Sequence, residues 1–195
     1  VPGGCPRALV VADMPFLTFQ ISREEAKRNA GRLVQEAGAE AVKLEGGVSM
    51  AETIAGIVTM GIPVMGHVGL TPQSVHRLGG YRVQGKEKDQ REAILRDALA
   101  VQEAGAFSVV LEAIPEKLAQ EITASLAIPT IGIGAGVHCD GQVLVMHDML
   151  GLFDTYTPKF VKQYANLKCV GAQAVRTFVA EVKEAKFPDD KHSFH

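Results

Sequence analysis

The sequence predicts an α/β fold built on a parallel sheet, read as a (β/α) barrel, and three observations carry that prediction. One phrase is written twice: Gln35-Glu36-Ala37-Gly38-Ala39 leads into Val42-Lys43-Leu44-Glu45, and Gln102-Glu103-Ala104-Gly105-Ala106 leads into Val109-Val110-Leu111-Glu112. Each copy reads as a helix end, a glycine stop, a buried strand and a carboxylate at the strand's far end. Ile62-Pro63 then returns as Ile128-Pro129 with the same offset to within one residue. Finally, strand and helix patterns alternate along the chain, which a parallel sheet accommodates. A doubly wound open sheet is the alternative for the same elements.

The elements follow in order. Ala8 to Ala12 is a short apolar strand stopped at Asp13-Met14-Pro15. Ser22-Arg23-Glu24-Glu25 is a capping box, after which Ala26, Ala30, Leu33, Val34 and Ala37 recur at helical spacing until Gly38. Ala41 to Leu44 is the next strand, followed by a helix from about Met50 to Met60 and a strand from Val64 to Gly66, ending at His67. Gly69 to Gly85 has no period and reads as a long loop, a kind often given to function. A helix from about Asp89 to Ala104, a strand from Phe107 to Leu111 and a helix from Pro115 to about Leu126 come next. Thr130 to Ile133 is a strand running into the glycine loop Gly132 to Gly136, Gln142 to Met146 is a weaker sixth strand, and helical stretches near Pro158 to Ala165 and Gly171 to Ala185 finish the chain.

The chain has 195 residues, 47 % apolar and 22 % charged, enough for a sizeable single core and expected to form one domain over 1–195. A net charge of -2 with interspersed signs favours neither nucleic acid nor an anionic membrane, and no apolar run approaches the ~18 residues that span a bilayer. Cys5, Cys139 and Cys169 lack CxxC spacing, as reduced thiols of a cytoplasmic protein would. A closed barrel needs eight strands and typically ~250 residues. Five clear strands and a weaker sixth, in a chain opening at Val1 within a loop, lead to the expectation that two strand–helix units are missing ahead of Val1.

The strands finish in polar residues: Asp13, Lys43 with Glu45, His67, and Glu112. In a barrel these ends share the face that carries active sites. Lys43 and Glu45 are two apart and point to one side, with Val42 and Leu44 turned to the helices. Asp13 and Glu45 are hard oxygen donors on adjacent strands and suit Mg²⁺; a salt bridge from either one to Lys43 is the other reading. His67 is either a donor to a substrate oxygen or a satisfied core histidine. Glu112 is either a general base, its pKa raised if buried, or an ion-paired glutamate. The Gly132 to Gly136 loop fits a phosphate cradle or an ordinary tight turn. His76, His138 and His147 follow no ligand spacing, and His192 and His195 lie at the terminus.

Longer motifs extend this reading. Ala12-Asp13-Met14-Pro15-Phe16, Val42-Lys43-Leu44-Glu45-Gly46-Gly47, Gly66-His67-Val68-Gly69-Leu70-Thr71-Pro72-Gln73-Ser74 and Gly79-Gly80-Tyr81-Arg82-Val83-Gln84-Gly85 resemble the ketopantoate hydroxymethyltransferase family. So do Ile131 to Gly136, Asp140 to Asp148, Pro158-Lys159-Phe160 and the final His192-Ser193-Phe194-His195. The resemblance runs in order from about Ala8 to the last residue.

The resemblance implies a (β/α)8 TIM barrel of the phosphoenolpyruvate mutase and isocitrate lyase type. It also implies transfer of a hydroxymethyl group from methylenetetrahydrofolate to 3-methyl-2-oxobutanoate, giving ketopantoate for pantothenate synthesis, with Mg²⁺ and a homo-oligomer, often a decamer. By position, Asp13 and Glu45 match metal ligands, Asp13 and Lys43 match residues on the keto acid, His67 matches a histidine near the substrate, and Glu112 matches the proton acceptor. The family's Gly-Asp-Ser stretch, which supplies a further ligand and a substrate serine, has no counterpart in these 195 residues. Full activity of the chain as it stands is therefore not expected, and exposed barrel edges would favour aggregation. Two other functions stay open: a Mg²⁺-dependent lyase or mutase of a short 2-oxo acid on the same barrel, and an inactive remnant.

Overall fold

A computed structural model describes residues 2–4, 7–153 and 156–195. Cys5 lies outside them. Six strands form one sheet among the described residues: β1 (Val11–Asp13), β2 (Ala41–Lys43), β3 (Val64–Gly69), β4 (Ser108–Glu112), β5 (Thr130–Ile133) and β6 (Gly141–Gln142). Their spatial order is their sequence order and every pairing is parallel. That order belongs to a barrel wall. A doubly wound sheet reverses direction at a switch point, and none occurs here.

Helices α1 (Arg23–Gln35), α2 (Ala51–Val58), α3 (Lys88–Glu103) and α4 (Glu116–Ser125) make the crossovers between β1 and β5. Ser22 caps α1 through its hydroxyl, which accepts the Glu25 N–H, as the capping box predicts. The core lies between one face of the sheet and these helices. Val42, Leu44, Val64, Val68, Val109 and Leu111 from the strands meet Ala26, Ala30, Ile54, Ile57, Ala98, Val101, Leu118 and Ile122. Full burial of each large aliphatic side chain contributes about 1.5–3 kcal/mol. The alternate residues, Lys43, Met65, His67, Val110 and Glu112, take the opposite face, as period-two alternation requires.

Gly66 explains how closely α3 lies on β3. A Cβ there would come within 2.3 Å of Val101 Cγ1. The strand also runs on to Gly69 instead of stopping at His67, because Gly66 and Gly69 are needed for close packing and do not break the ladder: Gly66 pairs with Val109 and Gly69 with Glu112.

The chain divides into two compact units, Val1–Val143 and Leu144–His195. The second departs most from the sequence reading. The expected sixth strand shrinks to Gly141–Gln142, and Met146–Met149 is instead a short helix, α5. The helix expected near Pro158 to Ala165 does not form. Only one turn is made there, Val161 N–H to Pro158 C=O, while Tyr164 N–H bonds Met149 C=O and Leu167 N–H bonds Leu150 C=O. Backbone bonds to the α5 region thus replace a helical ladder. The final helix α6 (Leu167–Lys183) begins earlier than expected because Asn166 Oδ1 caps it by accepting the Cys169 N–H. Among the described residues no helix is long and apolar enough to cross a membrane.

Gly66→Ala is expected to destabilise the chain by about 1–3 kcal/mol, because the added methyl forces α3 away from β3. Urea unfolding checks this, and an unchanged midpoint would show that the close approach carries no weight.

Candidate active site

The sheet register builds the site. Asp13 ends β1 and is the register partner of Lys43, which ends β2. Two residues on, Glu45 returns to the same face, while Leu44 between them is fully buried in the core. His67 lies on β3 and Glu112 at the end of β4. All five sequence-singled residues therefore gather at the C-terminal ends of four neighbouring strands.

Lys43 Nζ is 2.9 Å from Asp13 Oδ1 and 3.2 Å from His67 Nδ1. An ammonium can only donate, so Nδ1 presents its lone pair and the ring proton belongs on Nε2. His67 is almost wholly buried. Its Nε2 lies 3.1 Å from Glu112 Oε2 but off the line an N–H···O bond needs, and it has no hydrogen-bond partner among the described residues. A buried donor without a partner is costly, and one aimed into a site is available to a ligand oxygen.

Glu45 is also buried. Its Oε2 accepts the Gln73 backbone N–H at 3.0 Å, and its Oε1 stands 4.0 Å from His67 Nδ1. Burial pushes its pKa above the ordinary carboxylate value; His67, the Gln73 N–H and Lys43 pull it back, and Asp13 pushes it further up. Three carboxylates face one ammonium in this cluster, a surplus of negative charge that a divalent cation would neutralise. Among the described residues no three His, Cys, Asp or Glu side chains converge as a metal cage. The pair Asp13 and Glu45 still fits Mg²⁺, which binds through one or two carboxylates and takes its other oxygens from water and substrate.

The chain after each strand holds this rim in place. Met14 N–H bonds Lys43 C=O at 2.9 Å, Gly46 N–H bonds His67 C=O at 2.9 Å, and Leu70 N–H bonds Glu112 C=O at 2.8 Å. Ala113, directly after Glu112, has φ 47°, a left-handed conformation that costs an alanine free energy. Its N–H to Ile133 C=O and its C=O from Gln84 N–H, both 2.9 Å, hold it there. Sequence reasoning did not single out Gln73, Gln20 or Ala113. The signal for Gln73 was its place after Thr71-Pro72 in a loop already marked as functional.

The remaining candidates fall elsewhere. A Cβ on Gly136 would lie 2.4 Å from Glu116 Cγ, so the glycine loop packs against an acidic side chain, the wrong neighbour for a phosphate. His138 pairs with Glu116 at 3.3 Å, His192 with Asp189 at 2.5 Å and His195 with Asp190 at 3.0 Å.

A family model described as ketopantoate hydroxymethyltransferase matches residues 1–190. The chain is 63 % identical over 190 residues to a 3-methyl-2-oxobutanoate hydroxymethyltransferase of Geotalea uraniireducens (strain Rf4), covering 97 % of this chain and 71 % of the relative. It is 65 % identical over 189 residues to that of Trichlorobacter lovleyi (strain ATCC BAA-1151 / DSM 17278 / SZ), with the same coverage of 97 % and 71 %. Among solved structures, phosphonopyruvate hydrolase in complex with oxalate and Mg²⁺ is similar at a TM-score of 0.51 and 15 % identity, over 93 % of this chain and 66 % of that one. This last likeness concerns the fold alone.

Glu45→Gln keeps an acceptor for the Gln73 N–H and removes a desolvated charge, so it is expected to stabilise the metal-free chain at neutral pH. The raised folded pKa means that wild-type stability falls as pH rises from the unfolded carboxylate's value through the folded one. The variant lacks this slope, so its advantage shrinks toward acid. Urea midpoints from roughly pH 4 to pH 8 check it; a variant less stable than the parent throughout would contradict it.

Proposed function

Because the chain belongs to the ketopantoate hydroxymethyltransferase family, we infer that it is an enzyme that transfers a hydroxymethyl group to 3-methyl-2-oxobutanoate, giving 2-dehydropantoate in pantothenate biosynthesis. The observation that supports this chemistry at the rim is the unspent His67 Nε2 donor beside Glu112 Oε2, an acid–base pair facing two further carboxylates and an ammonium.

In this reading Asp13 and Glu45 would hold Mg²⁺, which when bound polarises the keto acid's oxygens and makes the neighbouring C–H more acidic. Lys43 and Asp13 contact the keto acid, the ammonium answering its carboxylate. Glu112 accepts the proton from the carbon next to the keto group. His67 donates Nε2–H to the oxygen on which negative charge develops, where a fixed donor in a buried setting counts most. The nucleophilic carbon then forms a C–C bond to the methylene carbon of methylenetetrahydrofolate, whose two C–N bonds break in turn; water supplies the hydroxyl oxygen, and tetrahydrofolate leaves.

The architecture belongs to the same proposal. Six consecutive strand units are read as part of an eight-unit barrel, with residues 1–195 contributing to a single domain. A lyase or mutase on this barrel would share Asp13 and Glu45, but the loop from His67 to Gly85 lies inside the region matched by the transferase family.

Glu112→Gln is expected to slow exchange of the substrate's C–H for deuterium by at least about 10²-fold, while the oxo acid still binds. Exchange at the parent's rate would remove Glu112 as the proton acceptor. Product that forms without any folate donor would favour the lyase reading instead.

A further inference from the structure

Gln73 lies in a 3₁₀ turn, Pro72–Ser74, just beyond β3, and uses both its backbone and its side chain at the rim. Its backbone N–H binds Glu45 Oε2 at 3.0 Å. Its Nε2 donates to Met14 C=O at 2.8 Å, and its Oε1 accepts from Gln20 Nε2 at 3.0 Å. A carbonyl can only accept, so the Met14 bond fixes the amide's orientation. Met14 is the residue after Asp13, it is fully buried, and its own N–H is bound to Lys43 C=O. The peptide groups beside Asp13 are thus tied to β2 on one side and to Gln73 on the other.

We propose that Gln73 is a positioning residue that sets the separation and orientation of the Asp13 and Glu45 carboxylates. One residue holds both: the amide fixes the end of β1, and the N–H fixes the Glu45 head group. Engaging Oε2 leaves Oε1 as the oxygen turned into the cluster. The turn is itself anchored, because Ser74 N–H bonds Thr71 C=O at 2.8 Å and Thr71 is buried. Without the amide, the loop after β1 loses its tie to the β3 loop. The two carboxylates then have to be ordered by the cation itself, at the cost of its affinity. This inference rests on the reading that Asp13 and Glu45 share a divalent ion.

The test is Mg²⁺ binding by calorimetry without substrate, on wild type and Gln73→Met, alongside metal-free thermal melts. Gln73→Met keeps the backbone N–H and the side-chain length but removes both amide bonds. It is expected to weaken Mg²⁺ about tenfold, the scale for losing a group that orients ligands, while the metal-free protein stays folded at the titration temperature even though the unpaired Met14 C=O lowers its melting temperature. Equal affinities in the two proteins would overturn the role of Gln73 while leaving the shared site standing. A wild type that binds no Mg²⁺ would overturn the shared site, and this inference with it. Should Gln73→Met not fold, Gln73→Leu takes its place: it keeps the backbone N–H, adds no charge and cannot donate to Met14, and the same weakening is expected.

Discussion

The Lys43 ammonium stands between the Asp13 carboxylate and the Nδ1 lone pair of His67, and the rest of the rim is arranged around that contact. A lysine on the inner face of a parallel sheet is expensive to desolvate and survives there only with partners. Asp13 supplies the opposite charge, half-exposed at the end of its strand. His67 supplies an acceptor, and in doing so gives up its choice of tautomer. The imidazole's one proton is thereby placed on Nε2, 3.1 Å from Glu112 Oε2 but not hydrogen-bonded to it, which turns a packing solution for Lys43 into a free buried donor beside a carboxylate. Replacing Lys43 by valine, as the second copy of the repeat does at Val110, would satisfy the sheet and dismantle this arrangement.

The sheet keeps these groups in range. Parallel register puts Asp13 beside Lys43 and Gly69 beside Glu112 without any long loop having to be ordered. Gly66 lets α3 close on β3, so His67, its neighbour, is carried on a strand whose other face is fully packed. The strained Ala113, held by two backbone hydrogen bonds, turns the chain immediately after Glu112. Rigid strands set the positions of the side chains, and short hydrogen-bonded loops set their orientations. A transferase that must take a proton from carbon and then form a carbon–carbon bond needs both, because small displacements of a base or donor lose much of its effect.

Much of this was legible in the sequence because the repeat exposed the period of the fold. Once Glu45 and Glu112 are seen at equivalent strand ends, both the parallel sheet and the rim where the polar strand ends gather follow, and Lys43 is conspicuous opposite Val110. The Lys43–Asp13 contact had been the alternative to metal binding; the geometry provides the ion pair, and the surplus of carboxylates leaves room for both. What the sequence did not reveal depends on contacts between distant segments. Gln73 matters because its amide reaches Met14, which no local pattern encodes. The stretch from Pro158 to Ala165 has helical-looking apolar spacing, yet its backbone bonds go to the α5 region. The continuation of β3 through two glycines was hidden because glycine reads locally as a breaker, whereas here it permits close approach.

The most direct test of the central contact is the nitrogen-15 chemical shifts of His67 at neutral pH. A proton on Nε2 with a bare Nδ1 is predicted, since Nδ1 accepts from the Lys43 ammonium. A proton on Nδ1, in either the neutral or the cationic ring, would mean that Lys43 does not set this imidazole, and the account of the rim built on it would be wrong.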